Sequence, residues 1–146
     1  MFRRRSNGLE SDTNVAVPTL PFPPDVDELL RRPNPAVVAT VRPDGSPHSV
    51  ATWYLWDGSR LLLNMDAGRA RLAFLRREPR LSLTVLDADS WYRQVNLDGL
   101  VAELVDDTEL EDIDRLARHY TGRPFRDREH RRVSAWVEIE RWHDWT

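Results

Sequence analysis

The chain has 146 residues, of which 40% are apolar and 31% charged, with no cysteine and a formal net charge of -3. That length suits one domain around one core. The composition excludes disulfides and thiolate metal sites, and the acidic balance argues against a general nucleic-acid binder.

All 21 basic residues are arginine. A GC-rich genome accounts for this, so only local clustering of arginine carries information. No run approaches the roughly eighteen apolar residues of a membrane helix. The start "MFRRRSNGLESDTN" is basic without a following apolar stretch, so no signal peptide and no membrane partner are expected, which fits a cytoplasmic protein.

In chain order, residues 1–24 are polar and then proline-rich, and read as a mobile arm; residues 25–146 read as the folded domain. Asp25 is placed to cap a short helix, "VDELLRR", that stops at Pro33. "AVVATV" (36–41) is a β-branched buried strand. "RPDGSP" (42–47) signals a hairpin with Asp-Gly at its tip. "HSVATWYLW" (48–56) and "RLLLNM" (60–65) read as the second and third strands of an antiparallel meander.

Asp66 then caps a helix over about 67–77. "RLSLTVLD" (80–87) is a fourth strand, and "WYRQVNLDGLVAELV" (91–105) is a long one, with Gly99 marking a bulge or bend. "DTELEDIDRLARHYTG" (107–122) is the clearest helix, acidic in its first turn, apolar at Leu110, Ile113, Leu116 and Ala117, and closed by Gly122. "RVSAWVEIERW" (132–142) alternates as a last strand. The expected fold is mainly β (α+β): a small closed antiparallel barrel of about six strands with two or three peripheral helices.

Much catalytic chemistry is missing. There is no glycine-rich phosphate loop and no G-x-S-x-G elbow. His48, His119, His130 and His143 show no metal-ligand spacing, so no metal is expected and no catalytic residue is assigned. Trp142-His143-Asp144 reads as surface. If the chain is an enzyme, a bound cofactor carries the chemistry.

The charge is unevenly spread. Arg60 to Arg80 holds six arginines against two acids, whereas Glu103 to Asp114 holds seven acids and no base. Arg76 and Arg77 read as a solvated helix face. Arg69 and Arg71 sit where a strand ends and a helix starts. Free backbone N–H groups and the helix dipole favour an anion there, and a guanidinium fork can grip phosphate. A solvated face and a phosphate site both remain open for that pair.

The order of "GSPHSVATWY", "DGSRLLLN", "RAR" and "LRREPRLSL" resembles the pyridoxamine 5'-phosphate oxidase-like split-barrel superfamily. "WYRQVNLDGLV" and "IDRLARHYTGRPF" are similar to its actinobacterial branch that uses the deazaflavin coenzyme F420. The resemblance spans roughly residues 25–145. It implies a six-stranded split β-barrel working as a homodimer, with cofactor sites at the subunit interface.

It places the cofactor phosphate on Arg69 and Arg71 and lines the pocket with Asn64 and Met65. His48, Ser49, Val50, Ala51, Thr52 and Trp53 would face the ring, and Trp91 and Arg93 would reach across the dimer. Each has an ordinary alternative: Trp53 as core packing, His48 as an exposed strand start, Arg93 as a partner of the acidic 103–114 segment. Flavin-using oxidases carry an adjacent Arg-Lys pair, whereas Ala70 separates the two arginines here, so F420 is expected ahead of FMN.

The implied activity is hydride transfer from reduced deazaflavin to a planar conjugated small molecule, with Tyr54 or His48 as a proton donor. An FMN-dependent oxidase or flavin reductase and a non-catalytic cofactor binder are the alternatives.

Overall fold

The computed structural model describes residues 20–145. Most of the expected arm lies outside that range. Its last residues do not: Phe22 is buried in the core, edge-on to Trp56 at 5.1 Å and to Trp142 at 5.4 Å. The domain therefore begins before the residue 25 read from the sequence. Helix α1 (Pro24–Arg31) starts on prolines, with no side-chain cap from Asp25. Proline suits a first helical turn because its missing N–H has no partner there in any case.

Strands β1 (Ala36–Val41) and β2 (Pro47–Thr52) form the expected hairpin. Its turn places Gly45 at φ 85°, and the Asp44 carboxylate accepts the Ser46 N–H at 2.9 Å. The chain then leaves the strand at Trp53 and Tyr54. It resumes as a second small hairpin, β3 (Leu55–Trp56) with β4 (Leu61–Asp66).

Helix α2 covers Ala70–Arg77, followed by β5 (Arg80–Leu86) and β6 (Gln94–Asp106). Helix α3 (Glu111–Thr121) and β7 (Arg132–Trp145) complete the chain. Among the described residues, no helix is long and apolar enough to cross a membrane.

All seven strands join one antiparallel sheet in the order β2-β1-β5-β6-β7-β4-β3. This corrects the expected count of about six strands and the closed barrel read from the residues, and it breaks the three-strand meander read over 36–65 into two hairpins. The segment read as one strand, 48–56, breaks at Tyr54, which is fully buried and donates its hydroxyl to the Arg32 carbonyl at 3.3 Å. That anchor lets the chain cross from the β1 side to the β7 side, so β2 and β3 become the sheet's two ends and the barrel is split. Two successive hairpins look the same as a meander in local sequence; only the long-range pairing of β4 with β7 separates them.

The long ladder between β6 and β7 carries register shifts at Asp98/Gly99 and Val101/Glu103. Gly99 is required by close approach, since a Cβ there would meet Val137 Cγ1 at 2.5 Å and the Glu138 carbonyl oxygen at 2.9 Å.

The main core packs α1, through Leu29 and Leu30, and α2, through Leu72 and Leu75, onto Val38, Leu61, Leu63, Leu83 and Leu97 of the sheet. A smaller cluster, Leu62 with Ile113 and Leu116, seats α3 on the other face of β4. Side chains alternate across a strand, so β4 is buried on both faces. Helix α3 starts later than read because residues 107–110 form a turn. Asp107 instead accepts the N–H groups of Asp112 and Ile113 at 3.1 and 2.9 Å, and Gly122 ends the helix at φ 78°.

Candidate functional site

The α3 side of the sheet holds two adjoining cavities of about 610 and 410 Å³ that share Ala51, Arg71, Phe125 and Arg132. The larger one is apolar and aromatic, the smaller one cationic. Strand β2, the start of α2, the α3 helix and the 122–131 connection all contribute to them.

In the larger cavity Trp53 stacks on Tyr120, with ring centres 5.3 Å apart and planes within 9°. Phe125 meets Trp53 edge-on at 6.3 Å. Tyr120 is locked in place because its hydroxyl donates to the Asn34 carbonyl at 2.7 Å and accepts the Tyr54 N–H at 3.4 Å. Ala51 and Thr52 extend this flat wall. Burial pushes the Tyr120 phenol up to about 12 and raises that of Tyr54 further. Tyr54 lines neither cavity, and its hydroxyl is bonded to backbone, which overturns its expected part as proton donor.

The smaller cavity is walled by His48, Val50, Arg69 and Arg71, with Asp66 and Arg132 at its side. Helix α2 begins at Ala70 rather than at 67, and no side chain caps it. Asp66 instead accepts the Gly68 N–H at 2.7 Å in a turn, which projects Arg69 outward and turns Arg71 in.

The Arg71 Nε is buried and has no hydrogen-bond partner among the described residues. Burial lowers its pKa, and the nearby charges of Arg69 and Arg132 lower it further. Burial also lowers that of Arg132. Among the described residues, none of these three guanidiniums is in an ion pair, although Arg31, Arg60, Arg93 and Arg128 all are. Arg132 is offset by the nearby carboxylates of Asp66, Asp127 and Asp107, but Arg71 faces the like charges of Arg69 and Arg132, and an anion beside it relieves that cost.

His48 lies edge-on to Phe74 at 5.6 Å, with a buried, unpartnered Nδ1. Ser49 lines neither cavity. Asn64 lines the larger cavity, but its side chain is already occupied: the amide donates to Asp107 and to Ser134, each at 3.1 Å, and its oxygen accepts Arg132 Nε at 2.8 Å. Met65, expected beside it, is one residue along the strand and therefore faces the opposite way, into the main core at 1% exposure.

Trp91 and Arg93 line neither cavity of the single chain. Trp91 is exposed and stacked on Tyr92 at 4.5 Å. Arg93 pairs with Asp144 and with Asp25, not with the acidic 103–114 segment. Arg76 and Arg77 are exposed. Asp66, Asp127 and His130 come together at the surface, where Asp127 accepts from the His130 N–H and ring in a local turn.

Sequence reasoning missed Tyr120, Phe125 and Arg132. Tyr120 was within reach, since it continues the 113-116 stripe of α3 by one helical turn. Arg132 was not, because its place depends on β7 pairing with β4, where Arg132 faces Asp66.

A split antiparallel sheet with a flat aromatic wall and an unpaired cationic rim on one face defines a recognisable class of barrel protein. The sequence pattern of pyridoxamine 5'-phosphate oxidase matches residues 22–146, and the chain belongs to that split-barrel family of flavin- and F420-dependent oxidoreductases.

An F420 reductase structure aligns at 30% identity with a TM-score of 0.76, covering 83% of this chain and 98% of that one. The conserved hypothetical protein Rv2991 from Mycobacterium tuberculosis aligns at 27% identity and a TM-score of 0.66, covering 90% and 86%. A putative pyridoxamine 5'-phosphate oxidase from Listeria innocua shares the fold at 17% identity and a TM-score of 0.63, covering 82% and 94%. No curated protein sequence matches the chain.

Proposed function

We propose that the protein is an F420-dependent reductase acting on a planar, conjugated small molecule. The observation that carries this is the joined cavity: a stacked aromatic wall at one end and, at the other, three guanidiniums that form no ion pair among the described residues. A flat ring joined to a phosphate matches both ends. The 30% identity to an F420 reductase over most of both chains supports the deazaflavin over FMN.

The cofactor would supply the hydride. The protein's own residues bind, orient and exclude water. Arg69 and Arg71 hold the phosphate, and the buried Nε of Arg71 gains the partner it lacks. Ala51, Thr52 and Trp53 offer a flat apolar wall to the ring, and the Trp53–Tyr120 stack keeps that wall rigid. His48 walls the cationic cavity beside Arg69 and Arg71, with its Nδ1 buried and unpartnered among the described residues. A homodimer is part of the proposal, supported by exposed Val37, Val50, Trp91 and Tyr92.

Titration of the purified protein with F420 and with FMN tests this reading. Saturable F420 binding tighter than FMN, weakened by about 100-fold or more in the Arg69→Ala/Arg71→Ala double variant, is expected from the loss of two charge-assisted contacts. Equal affinity of variant and wild type would sink it. A yellow protein with a flavin spectrum would favour the FMN oxidase reading instead.

A further inference from the structure

We infer that Arg132 is a third anion-binding residue that selects the phosphate-bearing form of the cofactor, and that Asn64 is its positioning residue. The inference rests on the F420 reading of the same site and adds two roles that the Arg69-Ala70-Arg71 pattern does not contain.

Arg132 lines both cavities, so it stands where an apolar ring would give way to a charged group. Two contacts fix it there. Its Nε donates to the Asn64 oxygen at 2.8 Å, and its guanidinium lies over the Phe125 ring at 4.7 Å. Both leave the outer nitrogens of the fork without a partner among the described residues. A guanidinium held by Nε and by its face presents those nitrogens to an oxyanion in a fixed direction.

Asn64 owes its own orientation to a chain of buried bonds. Its amide donates to Asp107 and Ser134, and the Ser134 hydroxyl donates to Asp112 at 2.7 Å. Asp107 also accepts the Asp112 and Ile113 N–H groups in the first turn of α3. The amide is thereby forced to turn its oxygen toward Arg132; a flipped amide would set two donors against each other. One network ties the α3 start, the end of β4 and the start of β7 to a single guanidinium at the cavity.

The test is fluorescence titration with F420 and with its phosphate-free deazaflavin alcohol. Arg132→Gln should weaken F420 binding by roughly 10- to 100-fold, the loss of one to two charge-assisted bonds, and leave the phosphate-free compound within about twofold. Arg132→Lys, which keeps the charge without the Nε bond, should recover part of the loss. Asn64→Ala should weaken F420 binding in the wild-type background and add nothing in the Arg132→Gln background, the signature of acting through Arg132.

If Arg132→Gln binds F420 like wild type, or loses both compounds equally, the inference is overturned; the F420 reading still stands if Arg69→Ala/Arg71→Ala loses F420. If the wild type binds no F420, both fall. Should Asn64→Ala not fold, the Arg132 variants decide on their own.

Discussion

The two faces of β4 are built to different ends. On one, Leu61, Leu63 and Met65 pack against α1, the sheet and its aromatics with almost no exposure. On the other, Leu62 and Asn64 look toward α3, across a smaller apolar cluster, a buried polar network and the two cavities. A single strand with a period of two serves both. The first face supplies stability. The second leaves a buried Arg71 nitrogen unpaired among the described residues and sets Arg71 beside the like charges of Arg69 and Arg132, an arrangement that costs stability and suits an anionic ligand.

Substitutions on each side separate these roles. Removal of Arg69 and Arg71 together should have the largest effect on binding, several kcal/mol of cofactor affinity, with a melting temperature unchanged or raised because repulsion is relieved. A lowered melting temperature would contradict the division.

Leu63→Ala is the counterpart on the packed face. It should cost about 2–5 kcal/mol of stability in urea denaturation, with cofactor affinity of the folded fraction unchanged. Gly99→Ala comes next, at about 1–3 kcal/mol, because the added methyl collides with Val137 and with the Glu138 backbone; a neutral result would mean that the β6–β7 ladder yields more easily than its bulges suggest.

The smallest effect belongs to the connection that carries Phe125. Arg128 donates to both oxygens of Asp114, at 2.7 and 3.2 Å, and holds that carboxyl below its ordinary range. A depressed carboxyl contributes stability that is present above its unfolded pKa and lost as the pH falls through the folded one. Arg128→Ala should therefore destabilise only slightly near neutral pH, because the arginine is half-exposed and solvent screens the pair. The gap to wild type should close as the pH drops below the carboxylate range. A gap that stays constant with pH would show that the arginine acts by packing alone.

Much of this was legible in the residues. The 36–41 strand, the Asp-Gly hairpin, the Gly99 irregularity and the α3 stripe follow from alternation, turn chemistry and helical spacing. The same logic brought attention to Arg69 and Arg71, because a strand end feeding a helix start is a local pattern. What stayed hidden is non-local. The crossing at Tyr54 depends on a hydroxyl reaching Arg32. The place of Arg132 depends on which strand β7 pairs with. Met65 beside Asn64 is an error of another kind: neighbours on a strand face opposite sides, and applying the period of two to the end of β4 would have separated them. Arg93 was read as reaching across the dimer or pairing with the acidic 103–114 segment, but the return of β7 brings Asp144 to it.

The most direct test of the account is a crystal structure of the protein with F420. The account predicts phosphate density within hydrogen-bond reach of the Arg71 Nε, between Arg69 and Arg132, with the deazaflavin ring against Ala51, Thr52 and Trp53. Cofactor density on the opposite side of the sheet, or phosphate bound away from Arg71, would contradict it.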